Sequence, residues 1–331
     1  MAFWLDIAAF ALKALLLVLA VGGLVCIIAR LTRGVAEDDS EIRIESLNER
    51  YDQREARLNS EILAKKERKA WAKARKKAAK APPPAKRIYV LDFKGDISAS
   101  AVTRLGHEID AVLTVARKTD DEIVVRIDSP GGAVTGYGLA ASQLTRFRTA
   151  AIPLTVCVDQ VAASGGYLMA CVADKIVAAP FAILGSIGVV AQVPNLNRLL
   201  KKNDIDFEEM TAGEFKRSVS IFGEITPAGR EHFRGKLDST HDAFKDFVRQ
   251  SRPRLDIDKV ANGDTWLGRY ALPLGLIDEL AASDDYLFRA RGEARIYEVT
   301  SRVHKTLLQQ ILGGVGFAAQ SAWTRWVGRI G

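Results

Sequence analysis

Apolar and polar positions along the chain fall into three regimes. Residues 14–29 (ALLLVLAVGGLVCIIA) carry no charge, and reaching back across Lys13 to Ala8 gives about the 20 residues a membrane-spanning helix needs. A lysine near the end of such a helix snorkels its ammonium to the headgroups. The residues before the run are poor in positive charge, and no small-x-small cleavage site follows before Arg30, so the run reads as an uncleaved anchor rather than a signal peptide. From 37 to 80 the chain is rich in Glu, Arg, Lys and Ala and reads as helix. Ile42, Ile44, Leu47, Tyr51 and Leu58 give it only a partial apolar stripe, and APPPA at 81–85 ends it.

Beyond residue 86 the period changes. Strands are predicted over 87–93, 121–128, 153–158 and 174–178, with helices over 98–117 and 136–149 and another starting near Ser164. A long amphipathic helix follows over 226–252, with Phe233, Leu237, Phe244, Phe247 and Val248 on its apolar stripe. Alternating strands and helices indicate an α/β layered fold. Residues 176–197 form a second uncharged window, but Pro180, Gly185, Gly188 and Pro194 break it, so it reads as buried strand and turn rather than a span.

The net charge of +7 on 331 residues is local. Residues 65–80 hold nine Lys or Arg against one Glu, so the basic excess describes one stretch and not the domain that follows. Anionic lipid and plain solvation both fit that stretch. Only Trp71 interrupts the charges and no nucleic-acid motif accompanies them, so no nucleic-acid partner is expected. Orientation of the anchor stays open: Arg30 and Arg33 follow the span, which favours a cytoplasmic domain, while Lys13 confuses the count. The three cysteines, Cys26, Cys157 and Cys171, have no framework spacing and read as small buried hydrophobes. No Cys/His spacing suggests zinc, and neither metal nor cofactor is expected.

Two glycine turns carry the candidate chemistry. One is Asp128-Ser129-Pro130-Gly131-Gly132 and the other Ala163-Ser164-Gly165-Gly166-Tyr167. Adjacent glycines let backbone N–H groups approach a ligand closely, and two N–H groups aimed at one point form an oxyanion hole. Ser164 sits where a strand passes into a helix, whose N-terminus favours a developing negative charge. A serine nucleophile needs a base. None of the four histidines, His107, His232, His241 and His304, lies between 108 and 231, so a Ser-His-Asp triad has no support in the sequence, and a Ser-Lys dyad is the other solution.

RIDSPGG at 126–132, AASGGY at 162–167, GSIGV at 185–189 and TAGEFKRS at 211–218 together resemble the signal peptide peptidase A family, and more closely its SohB-type relatives, bacterial inner-membrane serine proteases. The resemblance runs from about residue 87 to 282 and implies a catalytic Ser-Lys dyad of Ser164 and Lys216. It also implies that Ser186 positions the lysine amine and that Gly131 and Gly165 supply the oxyanion N–H groups. The fold it implies is that of the Clp protease and crotonase superfamily, stacked β-β-α units that assemble into rings with active sites at protomer interfaces. The expected layout is an inner-membrane anchor at 1–33, a charged, basic helical linker at 34–85, a Ser-Lys protease domain at 86–300 and an amphipathic segment at 301–331. That last segment, with Trp323 and Trp326, fits either a membrane surface or a neighbouring subunit. Phe215 and Val219 are expected to give Lys216 a dry wall. Expected partners are a peptide substrate with small or apolar side chains, the membrane and a homo-oligomeric ring. The competing readings are a catalytically inactive membrane scaffold and a crotonase-type acyl-CoA enzyme; the latter normally works with carboxylates, which the Ser164 and Lys216 pair disfavours.

Overall fold

The computed structural model describes residues 40–78, 82–118, 120–213 and 215–303. The expected anchor, Cys26 and nearly all of the 301–331 segment lie outside the described residues. Among the described residues no helix is long and apolar enough to cross a membrane. The window at 176–197 is instead strand and loop, as its broken pattern predicts.

In chain order the elements are β1 (Ser40–Ser46), α1 (Leu47–Ile62), α2 (Lys65–Ala78), β2 (Lys86–Lys94), α3 (Val102–Leu113), β3 (Asp121–Asp128), α4 (Val134–Thr149), β4 (Leu154–Val158) and β5 (Val161–Ala163). There follow α5 (Gly165–Ala170), β6 (Lys175–Ala178), β7 (Ile183–Gly185), α6 (Asn197–Lys202), α7 (Pro227–Ser251), β8 (Thr265–Leu267), β9 (Glu279–Leu280), α8 (Ser283–Ala290) and β10 (Ala294–Val303), with single helical turns at Ile257–Val260 and Gly268–Ala271 either side of β8. A seven-stranded sheet has the order β1-β10-β2-β3-β4-β6-β9, with every pair from β10 to β9 parallel. A three-stranded sheet has the order β5-β7-β8.

Alternation along the central strands splits the core in two. Tyr89, Leu91, Phe93, Ile123, Val125, Ile127, Leu154 and Val156 face the main core, filled by Leu105, Ile109, Tyr137, Leu144 and Met169 from the helices. Ile88, Val90, Val124 and Cys157 face a smaller one closed by Leu47 and Leu287. Cys157 and Cys171 are free, buried thiols, and burial pushes both up to about 12, so they act as the small hydrophobes expected.

The segment 37–80 departs from its helical reading. Its first part is strand β1, where Ile42 and Ile44 alternate with charged residues, and the helix begins only at Ser46, whose hydroxyl accepts from the Glu49 N–H. Ser46 and Glu49 have the spacing of a capping box, a start signal inside a charged run. Asn48 then docks the helix: its amide donates to the carbonyls of Arg291 and Ala294 and accepts from the Ile296 N–H. A break at Leu63 separates α1 from the basic α2. The compact unit runs from Ile42 to Ser301.

Candidate active site

The small sheet builds the site. β5 and β7 run parallel with Ala163 opposite Gly185, and the next residue in each strand is a serine, Ser164 and Ser186. Neighbouring strands lie about 4.8 Å apart, so the register sets the two serines side by side. Both leave their strands with positive φ, 52° at Ser164 and 50° at Ser186. Such a backbone costs a non-glycine residue about 1–3 kcal/mol and persists only where surrounding bonds hold it. Here the Ser164 N–H donates to the Gly185 carbonyl at 2.8 Å and the Ser186 N–H to the Asp264 carbonyl at 2.6 Å. Ser164 is also the N-cap of α5, so its side chain stands at the positive end of a helical turn.

Ser164, Ser186, Gly131, Gly132 and Gly165 line one cleft of about 1050 Å³, large enough for a stretch of extended peptide. Its far walls are apolar: Val134 and Ala141 from α4, Leu168 from α5, and Phe244 and Phe247 from α7. Four of the five sequence-predicted site residues therefore come together.

The glycine N–H groups differ. Gly131 N–H already donates to the Ser129 hydroxyl at 3.1 Å. The adjacent Gly132 N–H has no acceptor among the described residues. Gly165 N–H is the first of α5, where no intrahelical acceptor exists. Among the described residues the Gly132 and Gly165 N–H groups at the cleft are without an acceptor, whereas that of Gly131 is engaged.

Lys216 is not brought to Ser164 within this chain. It is exposed, does not line the cleft, and its ammonium makes no hydrogen bond or ion pair among the described residues. Phe215, one of the two side chains expected to shield it, stacks on His232 with ring centroids 3.9 Å apart. Arg217 points outward and pairs with Glu209. Residues 186–226 around Lys216 hold only the short helix α6, and they expose Val190 (80%) and Met210 (89%) along with Leu199, Ile205 and Phe207.

His241 was passed over in the sequence because no motif surrounds it. It lines the cleft, with Nε2 3.1 Å from the Ile187 carbonyl oxygen. A carbonyl only accepts, so Nε2 carries the proton and is already engaged. The signal was its place on the inward stripe of α7, three residues before Phe244 and seven before Val248. Among the described residues no group of three His, Cys, Asp or Glu is placed to hold a metal ion.

A sequence profile described as Peptidase family S49 matches residues 146–296, and one described as Peptidase family S49 N-terminal matches residues 2–144. The chain is 47% identical to the probable protease SohB of Haemophilus influenzae, over 90% of this chain and 88% of that one. It is 43% identical to the probable protease SohB of Buchnera aphidicola subsp. Schlechtendalia chinensis, over 87% of this chain and 99% of that one. A solved structure of the 1510-N membrane-bound stomatin-specific protease with a substrate peptide is similar at 15% identity and a TM-score of 0.43, covering 70% of this chain and 97% of that one.

Proposed function

The chain belongs to peptidase family S49, of the SohB type, and we propose that it is a serine endopeptidase whose nucleophile is Ser164 and whose general base is Lys216 from an assembled copy of the chain. The observation that carries this reading is the paired exit of Ser164 and Ser186 from β5 and β7 into the cleft, both at positive φ. In the proposed mechanism a substrate peptide lies along the cleft and its carbonyl oxygen points at the Gly132 and Gly165 N–H groups. Ser164 Oγ attacks the carbonyl carbon while Lys216 removes the hydroxyl proton, held in place by Ser186. The N–H pair binds the oxyanion of the tetrahedral intermediate, and Lys216 returns the proton to the leaving amine.

An exposed lysine is a poor base, since only about one in a thousand is neutral near pH 7.4. Covering by a second subunit supplies the missing step, because removal from water favours the neutral amine over the ammonium. The exposed apolar side chains around Lys216 support a covering subunit, and rings of stacked β-β-α units are the assembly this reading entails. The reading also places the protein at the bacterial inner membrane by its apolar run at 14–29, with the basic face of α2 against anionic lipid. Its substrates are membrane-derived or signal-peptide-like segments, which suit the apolar cleft walls.

The test is complementation. Ser164→Ala and Lys216→Ala are each expected to be inactive, and dissociating and reassembling them together is expected to restore part of the activity, because some sites then join an intact Ser164 to an intact Lys216. A mixture that stays inactive, with a wild type whose activity is flat from about pH 6 to 9, would sink the dyad. Fluorophosphonate labelling of Ser164 separates this reading from an inactive scaffold and from an acyl-CoA enzyme, neither of which labels there.

A further inference from the structure

Beneath the cleft, a buried chain of hydrogen bonds runs from Gly131 to the other side of the glycine turn. Its direction follows from counting protons. Tyr137 Oη lies 2.8 Å from the Asp96 carbonyl oxygen, which only accepts, so the single phenolic proton goes there. Ser129 Oγ lies 2.5 Å from Tyr137 Oη and must therefore supply the proton of that bond. A lone pair of the same oxygen accepts the Gly131 N–H. The order is Gly131 N–H to Ser129 O–H to Tyr137 O–H to Asp96 C=O, with no second arrangement available. Ser129 and Tyr137 are both buried side chains, and the Ser129–Tyr137 and Gly131–Ser129 bonds are buried with them. Burial also raises Tyr137 above the ordinary phenol range, with the Ser129 bond working against it, so the relay keeps its proton at the pH a lysine base requires.

The surrounding backbone is shaped to these two side chains. A Cβ on Gly165 would lie 2.3 Å from Tyr137 Cγ, so the ring packs directly against the residue after the nucleophile. A Cβ on Gly95 would lie 2.2 Å from Ser129 Oγ and 2.4 Å from Tyr137 Oη, so the relay occupies the space of any side chain there. The Ser129 backbone is clamped to β5, donating to the Val161 carbonyl at 2.8 Å and accepting from Ala163 N–H at 3.0 Å. Ser129 thus ties the strand that leads to Ser164 to the loop that carries the free Gly132 N–H.

We propose that Ser129 and Tyr137 are positioning residues for both oxyanion donors: the Tyr137 ring packs on the Gly165 backbone, and its hydroxyl, through Ser129, holds the Pro130–Gly131 peptide from which the Gly132 N–H is set at the Gly131 φ of 91°. This rests on the reading of Ser164 as nucleophile. Two consecutive glycines have many peptide orientations open to them, and the relay selects one before substrate arrives.

The test uses Tyr137→Phe, which keeps the ring and removes the hydroxyl, and Ser129→Ala, in the full-length chain. Rates on a fluorogenic peptide with a small apolar residue before the scissile bond are divided by the concentration of fluorophosphonate-titrated sites, so that loss of folded protein does not enter. Each variant is expected to lower kcat at least about tenfold with KM within about twofold, because the oxyanion exists only past the ground state. The double variant is expected to fall no further than the worse single one, since both cut the same chain. A kcat unchanged in Tyr137→Phe, an effect confined to KM, or losses that multiply would overturn the relay. If one variant fails to fold, the other makes the same comparison. A wild type that fluorophosphonate does not label, or a Ser164→Ala variant that still cleaves, sinks the nucleophile reading itself and is distinguishable from a relay that fails on a labelled enzyme.

Discussion

Replacing Gly131 with alanine adds one methyl group at the centre of the site. Gly131 has φ +91°, where an alanine backbone is strained by about 1–3 kcal/mol. The new Cβ would lie 2.7 Å from Ser164 Cβ, 2.8 Å from the Ala163 carbonyl oxygen and 2.8 Å from Gly165 N. Carbon contacts settle near 3.5–4.0 Å, so the overlap is roughly 0.7–1 Å. None of the three atoms is the end of a flexible side chain; all belong to the turn that carries Ser164. Relief must come from moving that turn, and about 1 Å at an attacking atom costs roughly a hundredfold in rate, about 3 kcal/mol of barrier. Gly131→Ala is thus expected to lower kcat/KM about a hundredfold or more and to lower stability by about 1–3 kcal/mol. Gly235→Ala is the control: it lies within α7, a Cβ there meets nothing within 4 Å, and it is expected to raise stability by up to about 1 kcal/mol with activity unchanged. Steady-state kinetics and urea unfolding on the two variants decide the matter. A Gly131→Ala enzyme within threefold of wild type refutes the claim that the SPGG loop touches the nucleophile.

Three further outcomes follow from other parts of the molecule. His241→Gln keeps a donor for the Ile187 carbonyl and is expected to retain activity within a few-fold, with the same pH profile; a hundredfold loss with a shifted acid limb would make His241 the base. Burial raises Glu108 to about 7, only partly opposed by the Ser301 N–H and Arg104. The folded protein then keeps a proton that the unfolded chain has lost, so stability falls as pH rises from about 4.5 to 7 and is level above; Glu108→Gln is expected to abolish that slope, worth about 3 kcal/mol between urea curves at the two ends. Burial alone would raise Asp121, but Arg87 and Arg117 hold it well below the usual carboxylate range, so its stabilisation is present above about pH 4 and lost in more acid solution. Asp121→Asn is expected to cost about 3–5 kcal/mol at neutral pH and much less near pH 2, and an equal loss at both pH values would contradict it.

How much of this was legible in the chain varies with the length of the signal. β2 and β3 could be read because strands buried on both faces are continuous apolar runs, and Asp121–Asp128 emerges at the predicted bounds. The long helix α7 was equally plain from its stripe of phenylalanines. β5, β7 and β8 have three residues each, too few to show a period, so the small sheet that sets Ser164 beside Ser186 was invisible. β1 was masked by charge, although Ser46 and Glu49 marked where the helix starts. Within the site, Ser164 was flagged by its own glycines, while Ser129 and Tyr137 owe their role to hydrogen bonds that reach Asp96, 41 residues from Tyr137, and no local pattern records that. Lys216 reads as a base by resemblance, and its exposure in one chain shows why composition and spacing could not assign it.

The position of β10 bears on when the fold can exist at all. The strand made last among those described lies between β1 and β2, two of the earliest, and Asn48 bonds to Ala294 across 246 residues of sequence. During synthesis the β2 edge, with Ile88 and Val90 along it, has no parallel neighbour on that side until residues 294–303 have left the ribosome. Closure of this sheet therefore waits for the synthesis of β10. A nascent chain that carries every residue of the cleft still lacks a finished sheet until β10 joins β2.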